Sequence, residues 1–133
     1  MEKTEETITA RLAALQTALM TLSEALEQPF NSFIRDSAIK RYEWTFELSW
    51  KLMKSVLRFH GISCDSPRQC IREAYSIGII SDIEIWFEAL ANRNQSSHIY
   101  NEHIADEIFK YVNKFPQIVS DLIKNVQTES FDK

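Results

Sequence analysis

The chain has 133 residues, of which 44% are hydrophobic and 26% charged. That is enough for one globular domain with a buried core, so a single unit over 1–133 is expected. With only 2 Gly and 3 Pro, a turn-rich β protein is excluded and long helices are favoured. The formal net charge of -4 and a pI near 5.4 give no support for non-specific nucleic-acid binding.

The first helix is predicted over 4–27. Ile8, Leu12, Leu15, Leu19, Leu22 and Leu26 are spaced 4, 3, 4, 3, 4, a heptad seam. Pro29 stops it. A second helix is predicted over 32–60, with one apolar stripe through Ile39, Tyr42, Phe46, Met53 and Val56. A second stripe runs through Trp44, Leu48, Leu52 and Phe59, and Trp50 and Leu57 widen it further. This much apolar surface requires a central position or a second subunit. Gly61 is placed to end the helix.

Ser66-Pro67-Arg68-Gln69 has the pattern of an N-cap, a first-turn proline and a capping-box Gln, opening a short third helix that Gly78 ends. Ser81-Asp82-Ile83-Glu84 reads as another capping box, opening a fourth helix that runs to about residue 92 or 93. The last helix is predicted over 98–127, on a seam of Ile104, Ile108, Tyr111, Phe115, Ile118 and Leu122. Pro116 should kink or split it. A frayed polar tail is expected over 128–133. The fold class is therefore all-α, an antiparallel four-helix up-and-down bundle with one leg made of two shorter helices.

Cys64 and Cys70 match no zinc pattern and are expected to be reduced thiols. His98 and His103 are five apart, which misses the spacing that puts two metal ligands on one helix face, so no metal and no cofactor is expected. The start of the chain, Met1-Glu2-Lys3-Thr4-Glu5-Glu6, is acidic and unlike a signal peptide, and no stretch approaches the apolar length of a membrane span. A cytoplasmic location is the expectation. Lys51, Lys54 and Arg58 share a stripe that can follow a nucleic-acid backbone, but with 19 acidic against 15 basic residues a solvated face is the expectation.

One run carries chemistry: Arg93-Asn94-Gln95-Ser96-Ser97-His98-Ile99-Tyr100. Arg offers a planar fork of donors suited to phosphate. His exchanges protons near neutral pH. Tyr donates a hydrogen bond, stacks, or acts as a nucleophile. With Ser96 or Ser97 capping the last helix, Arg93, His98 and the first free amides of that helix can surround one phosphate. Glu102, four residues after His98, can orient the imidazole. The alternative is equally physical: Arg93 complementing a helix end, His98 on the surface, and Tyr100 packing.

Arg93, Asn94, His98 and Tyr100 fit Arg-polar-x3-His-x-Tyr. Together with Tyr42-Glu43-Trp44-Thr45-Phe46-Glu47-Leu48-Ser49-Trp50-Lys51 and Ser66-Pro67-Arg68, they make the chain resemble the HEPN-fold nucleotidyltransferase substrate-binding proteins, which are similar to HepT toxins. The resemblance spans roughly 11–124. It implies a helical bundle that forms a homodimer with the two motifs near its axis. It also implies a small nucleotidyltransferase encoded nearby as partner, in a toxin–antitoxin type of pair, and RNA or nucleotide as substrate. Arg93 and His98 would be catalytic in a metal-independent ribonuclease, Asn94 and Glu102 supporting, and Tyr100 the acceptor of AMP. The alternative it leaves open is a non-catalytic subunit that binds nucleotide or substrate for the transferase.

Overall fold

A computed structural model describes residues 2–129. Among the described residues there are six α-helices and no strand: α1 (Glu2–Leu26), α2 (Ser32–Phe59), α3 (Pro67–Ser76), α4 (Ile83–Gln95), α5 (Glu102–Val112) and α6 (Phe115–Thr128). They form an antiparallel helical bundle whose legs are α1, α2, α3–α4 and α5–α6. None of these helices is long and apolar enough to cross a membrane.

The heptad seam of α1 lies along α2, with Ile8, Leu15 and Leu22 fully buried and Leu12, Leu19 and Leu26 packed at its edge. α2 is the central helix and touches α1, α3, α4, α5 and α6. Its broad apolar surface is thus largely satisfied within one chain, although Trp44 stays 54% exposed. The buried hydroxyls of α2 need acceptors. Thr45 donates to the Arg41 carbonyl and Ser49 to the Thr45 carbonyl, each at 2.7 Å.

Asn31 caps α2 by accepting from the Ile34 amide at 2.8 Å. At the other end Gly61, with φ near 80°, lets the Ile62 amide reach back to the Leu57 carbonyl (2.8 Å) while its own amide meets Arg58 (2.9 Å). Gly78 closes α3 in the same way, through Ile79 to Ala74 at 3.0 Å. These are Schellman closures, which need a left-handed residue that only glycine adopts at little cost.

Several expectations are corrected. Ser66 does cap α3, but Gln69 Oε1 accepts from the Asp65 amide (3.0 Å) instead of closing the reciprocal box on Ser66. Asp82, not Ser81, caps α4 by accepting from the Ile85 amide at 3.2 Å. At Pro116 the last helix splits, one of the two outcomes expected there, and its first half starts at Glu102 rather than at residue 98. Pro116 lies in the first turn of α6, where its missing N–H costs nothing, whereas a continuous helix would set its ring against the Val112 carbonyl. Thr128 is still helical, and Glu129 pairs with His60 Nε2 at 3.0 Å. The rest of the expected frayed tail, 130–133, lies outside the described residues.

Cys64 and Cys70 form a disulfide, not two free thiols. The loop after α2 doubles back onto the first turn of α3 and brings their Cα atoms to 5.2 Å, within bridging range.

At the core centre stands Phe115, fully buried. Its ring lies 4.8 Å from Tyr42, 5.5 Å from Trp86 and 6.1 Å from Tyr111. The two tyrosines are also tethers: Tyr42 donates to the Ala89 carbonyl and Tyr111 to the Ile85 carbonyl, each at 2.5 Å. Burial pushes both phenols well above the ordinary tyrosine range, so they remain donors. Both hold α4, the helix whose end carries Arg93.

A second tether fixes the start of α5. Buried Arg35 reaches Glu102 (2.7 Å), Asp106 (3.0 Å) and Asp36 (2.9 Å). The hydrogen bond from Arg35 holds the Glu102 carboxyl below its ordinary range. A carboxyl lowered in the folded state stabilises fully above its unfolded pKa and loses that contribution as pH falls through the folded value. The unfolding midpoint should therefore drop as pH falls through and below the usual carboxylate range. Arg35→Met should flatten that drop, read by thermal denaturation across a pH series; an unchanged pH profile would show that the cluster does not couple to folding.

Candidate phosphodiester site

α4 extends to Gln95, so Arg93 and Asn94 lie in its last turn. Ser96–His98 then form a single 3-10 turn. The cap of α5 is Asn101, whose side chain accepts from the Ile104 amide at 3.1 Å. The expected caps, Ser96 and Ser97, do not serve that role. His98 therefore precedes the helix by four residues, and the acidic Glu102 occupies its first turn. A phosphate held on those amides is thus displaced by the chain itself: one amide is capped and a carboxylate already complements the dipole.

Arg93 is positioned from α2. Its Nη2 meets Glu47 Oε1 at 2.9 Å, its Nη1 meets Asn94 Oδ1 at 3.1 Å, and its guanidinium carbon lies 5.7 Å from the Phe46 ring centroid. Two flanking acceptors and an aromatic face fix the fork while leaving the side chain 31% exposed. Asn94 thus acts on Arg93 directly. Ser96 is buried and its hydroxyl donates either to the Arg93 carbonyl (2.6 Å) or to the Glu43 carboxylate. This pins the turn to α2.

Beyond that pin the chain is open. His98 is exposed and Tyr100 is 80% exposed. The His98 Nδ1 lies 3.1 Å from the Tyr100 hydroxyl, with the rings edge to face at 5.8 Å. Among the described residues no hydrogen bond joins Arg93 to His98. Glu102 does not orient His98: its carboxylate is held by the buried Arg35 at 2.7 Å. The neighbour of His98 is Tyr100.

Sequence reasoning gave no role to Glu43 and Glu47. Their signal was there: two carboxylates one helical turn apart in an otherwise aromatic stretch of α2, a spacing that puts both on one face. Among the described residues no cluster of three or more His, Cys, Asp or Glu side chains is arranged to hold a metal ion.

Comparison with known proteins gives three likenesses. A Thermus thermophilus protein of known structure superposes with a TM-score of 0.80 at 29% identity, covering 85% of this chain and 98% of the other. A Haemophilus influenzae structure, described as the fold of a substrate binding domain of a nucleotidyltransferase, superposes at 0.69 with 24% identity over 92% of this chain and 98% of that one; it bears on the fold alone. A Haemophilus influenzae protein named "Probable ribonuclease HepT" is 31% identical over 83 residues, 59% of this chain. That match spans 57% of the relative's length. Residues 10–128 match the family described as nucleotidyltransferase substrate binding protein like, and the chain belongs to that family.

Proposed function

We propose that this protein is a HepT-like partner of a small nucleotidyltransferase in a toxin–antitoxin pair. In this reading it is a metal-independent ribonuclease that AMP transfer to Tyr100 switches off. The observation that carries it is the exposed His98–Tyr100 contact at 3.1 Å, in the turn that follows the helix end holding a fixed Arg93.

In cleavage, a ribose 2′-oxygen bonds to the adjacent phosphorus, the bond to the 5′-oxygen breaks, and a cyclic phosphate and a 5′-hydroxyl result. One proton leaves the 2′-hydroxyl and one must reach the 5′-oxygen. Two copies of His98, one from each chain of a homodimer, supply base and acid. Arg93 holds the non-bridging oxygens as charge builds on them. Exposed Trp44 on α2 and Phe33 at its start offer apolar surface for the second copy.

Silencing uses the same pair. The Tyr100 oxygen bonds to the α-phosphorus of ATP, pyrophosphate leaves, and the phenol proton passes to His98 Nδ1. The adenylate then stands against the imidazole that cleavage needs. The test is intact-mass measurement after incubation with the neighbouring transferase, ATP and magnesium. Wild type should gain adenylate, Tyr100→Phe should gain none, and Tyr100→Phe should cleave RNA without being silenced. Adenylate on Tyr100→Phe would refute the assignment.

The family description favours a second reading, a subunit that binds nucleotide or substrate for the transferase without cleaving anything. Nucleotide binding without turnover of any RNA would select it.

A further inference from the structure

Away from the motif, α1 and α2 enclose a cavity of about 280 Å³ lined by Arg11, Trp50, Lys51, Lys54, Ser55 and Arg58 among others. Four of these are cations, in a chain whose net charge is -4. Like charges gathered at one place repel one another, and surface charges of a soluble protein are ordinarily interspersed. The sequence expectation of a merely solvated stripe did not foresee that α1 would bring Arg11 onto it.

Among the described residues no close carboxylate neutralises these cations. Lys51 has only a loose pairing with Glu47 at 3.8 Å. Among the described residues, Lys54 and Arg58 pair with no carboxylate. Arg11 donates to the Lys51 carbonyl at 3.1 Å, which fixes its guanidinium at the groove wall without cancelling its charge. Trp50 is 9% exposed, and among the described residues its buried indole N–H has no acceptor. An unmet buried donor costs about 1–3 kcal/mol. A wall of cations suits an anion with several oxygens.

The shape narrows the choice. Lys51, Lys54 and Arg58 are spread over about 10 Å of helix at 1.5 Å per residue. A single orthophosphate cannot meet all three. Lys54 already sits 5.9 Å over the Trp50 ring, so that face is not available to stack a base. One turn before Lys51, Glu47 bridges Lys51 to Arg93. The groove and the motif are therefore two parts of one polar face of α2.

We propose that this groove is a phosphate track for a single RNA strand, holding successive backbone phosphates while the scissile one lies at Arg93 and His98. The RNA identity rests on the ribonuclease reading above; the phosphate chemistry of the groove does not. Such a track explains how an acidic protein can hold a polyanion: the attraction is local.

The test is fluorescence anisotropy with a short labelled single-stranded RNA over a salt series, in a His98→Ala background so that the strand stays whole. Lys54→Gln/Arg58→Gln, both partly or fully exposed, should keep native helicity. Binding should weaken by about ten-fold or more, and the slope of log affinity against log salt should fall by about 1.4, or roughly 0.7 per lost contact. Excess ATP or pyrophosphate at matched ionic strength should not displace the strand. Unchanged affinity and slope in the double variant would overturn the proposal. So would displacement by ATP with the same dependence on Lys54 and Arg58, which would make the groove a nucleotide pocket. If wild type cleaves no RNA but binds it through these residues, the ribonuclease reading fails and the track stands. If cleavage persists with binding indifferent to them, the track fails alone.

Discussion

Phe115→Ala should lower stability by about 3–5 kcal/mol, the usual cost of deleting a buried aromatic ring. For a domain of this size that is a fall of about 10–20 °C in the thermal midpoint. Phe115 is fully buried and its ring touches those of Tyr42, Trp86 and Tyr111, so α2, α4, α5 and α6 meet at one side chain. Neighbouring rings are too large to close the hole without leaving their rotamers. The effect should also reach function, because Tyr42 and Trp86 hold α4 and α4 carries Arg93. Thermal denaturation followed by circular dichroism measures it; a shift of only a few degrees would mean that the core collapses around the missing ring. Phe115→Leu, which keeps most of the volume, should lose less.

Arg93→Ala should lower the rate of RNA cleavage by about 10²–10³-fold, the usual cost of losing one donor to a developing oxyanion. At 1.36 kcal/mol per factor of ten this is about 3–4 kcal/mol of transition-state stabilisation. Arg93→Lys should recover only part. It keeps the charge, but a point cation cannot meet Glu47 Oε1 and Asn94 Oδ1 together as the fork does at 2.9 and 3.1 Å, and so presents no fixed donors to phosphate. Folding should survive both changes, since Arg93 and Glu47 are each about one-third exposed and contribute little to the core. Single-turnover rates with excess enzyme separate this loss from weaker binding. Equal rates for wild type and Arg93→Lys would show that charge alone suffices.

The bundle was legible because its signals are local. The α1 seam repeats every three to four residues, and Gly61 and Gly78 stand where left-handed backbone is needed. Pro116 announced a break but not its completeness: whether a helix kinks or splits depends on what its two halves pack against. The disulfide was not legible, since a separation of six residues becomes a 5.2 Å approach only once the chain turns between α2 and α3. The motif residues were legible, and their partners were not. Glu102 has the right helical spacing from His98 only if the helix starts early, and Asn101 starts it late. Glu102 then falls to Arg35, 67 residues earlier. Glu47 and Arg93 are 46 residues apart, a pairing that no local pattern encodes.

The most direct test is RNA cleavage by the purified protein, in excess chelator, beside His98→Ala of matched helicity. Wild type should cleave RNA to products ending in a cyclic phosphate, and His98→Ala should be slower by about 10²–10⁴-fold, the range for loss of a general acid–base group. Undiminished cleavage by His98→Ala, or none by folded, unmodified wild type, would contradict the assignment of Arg93, His98 and Tyr100 to a phosphodiester site.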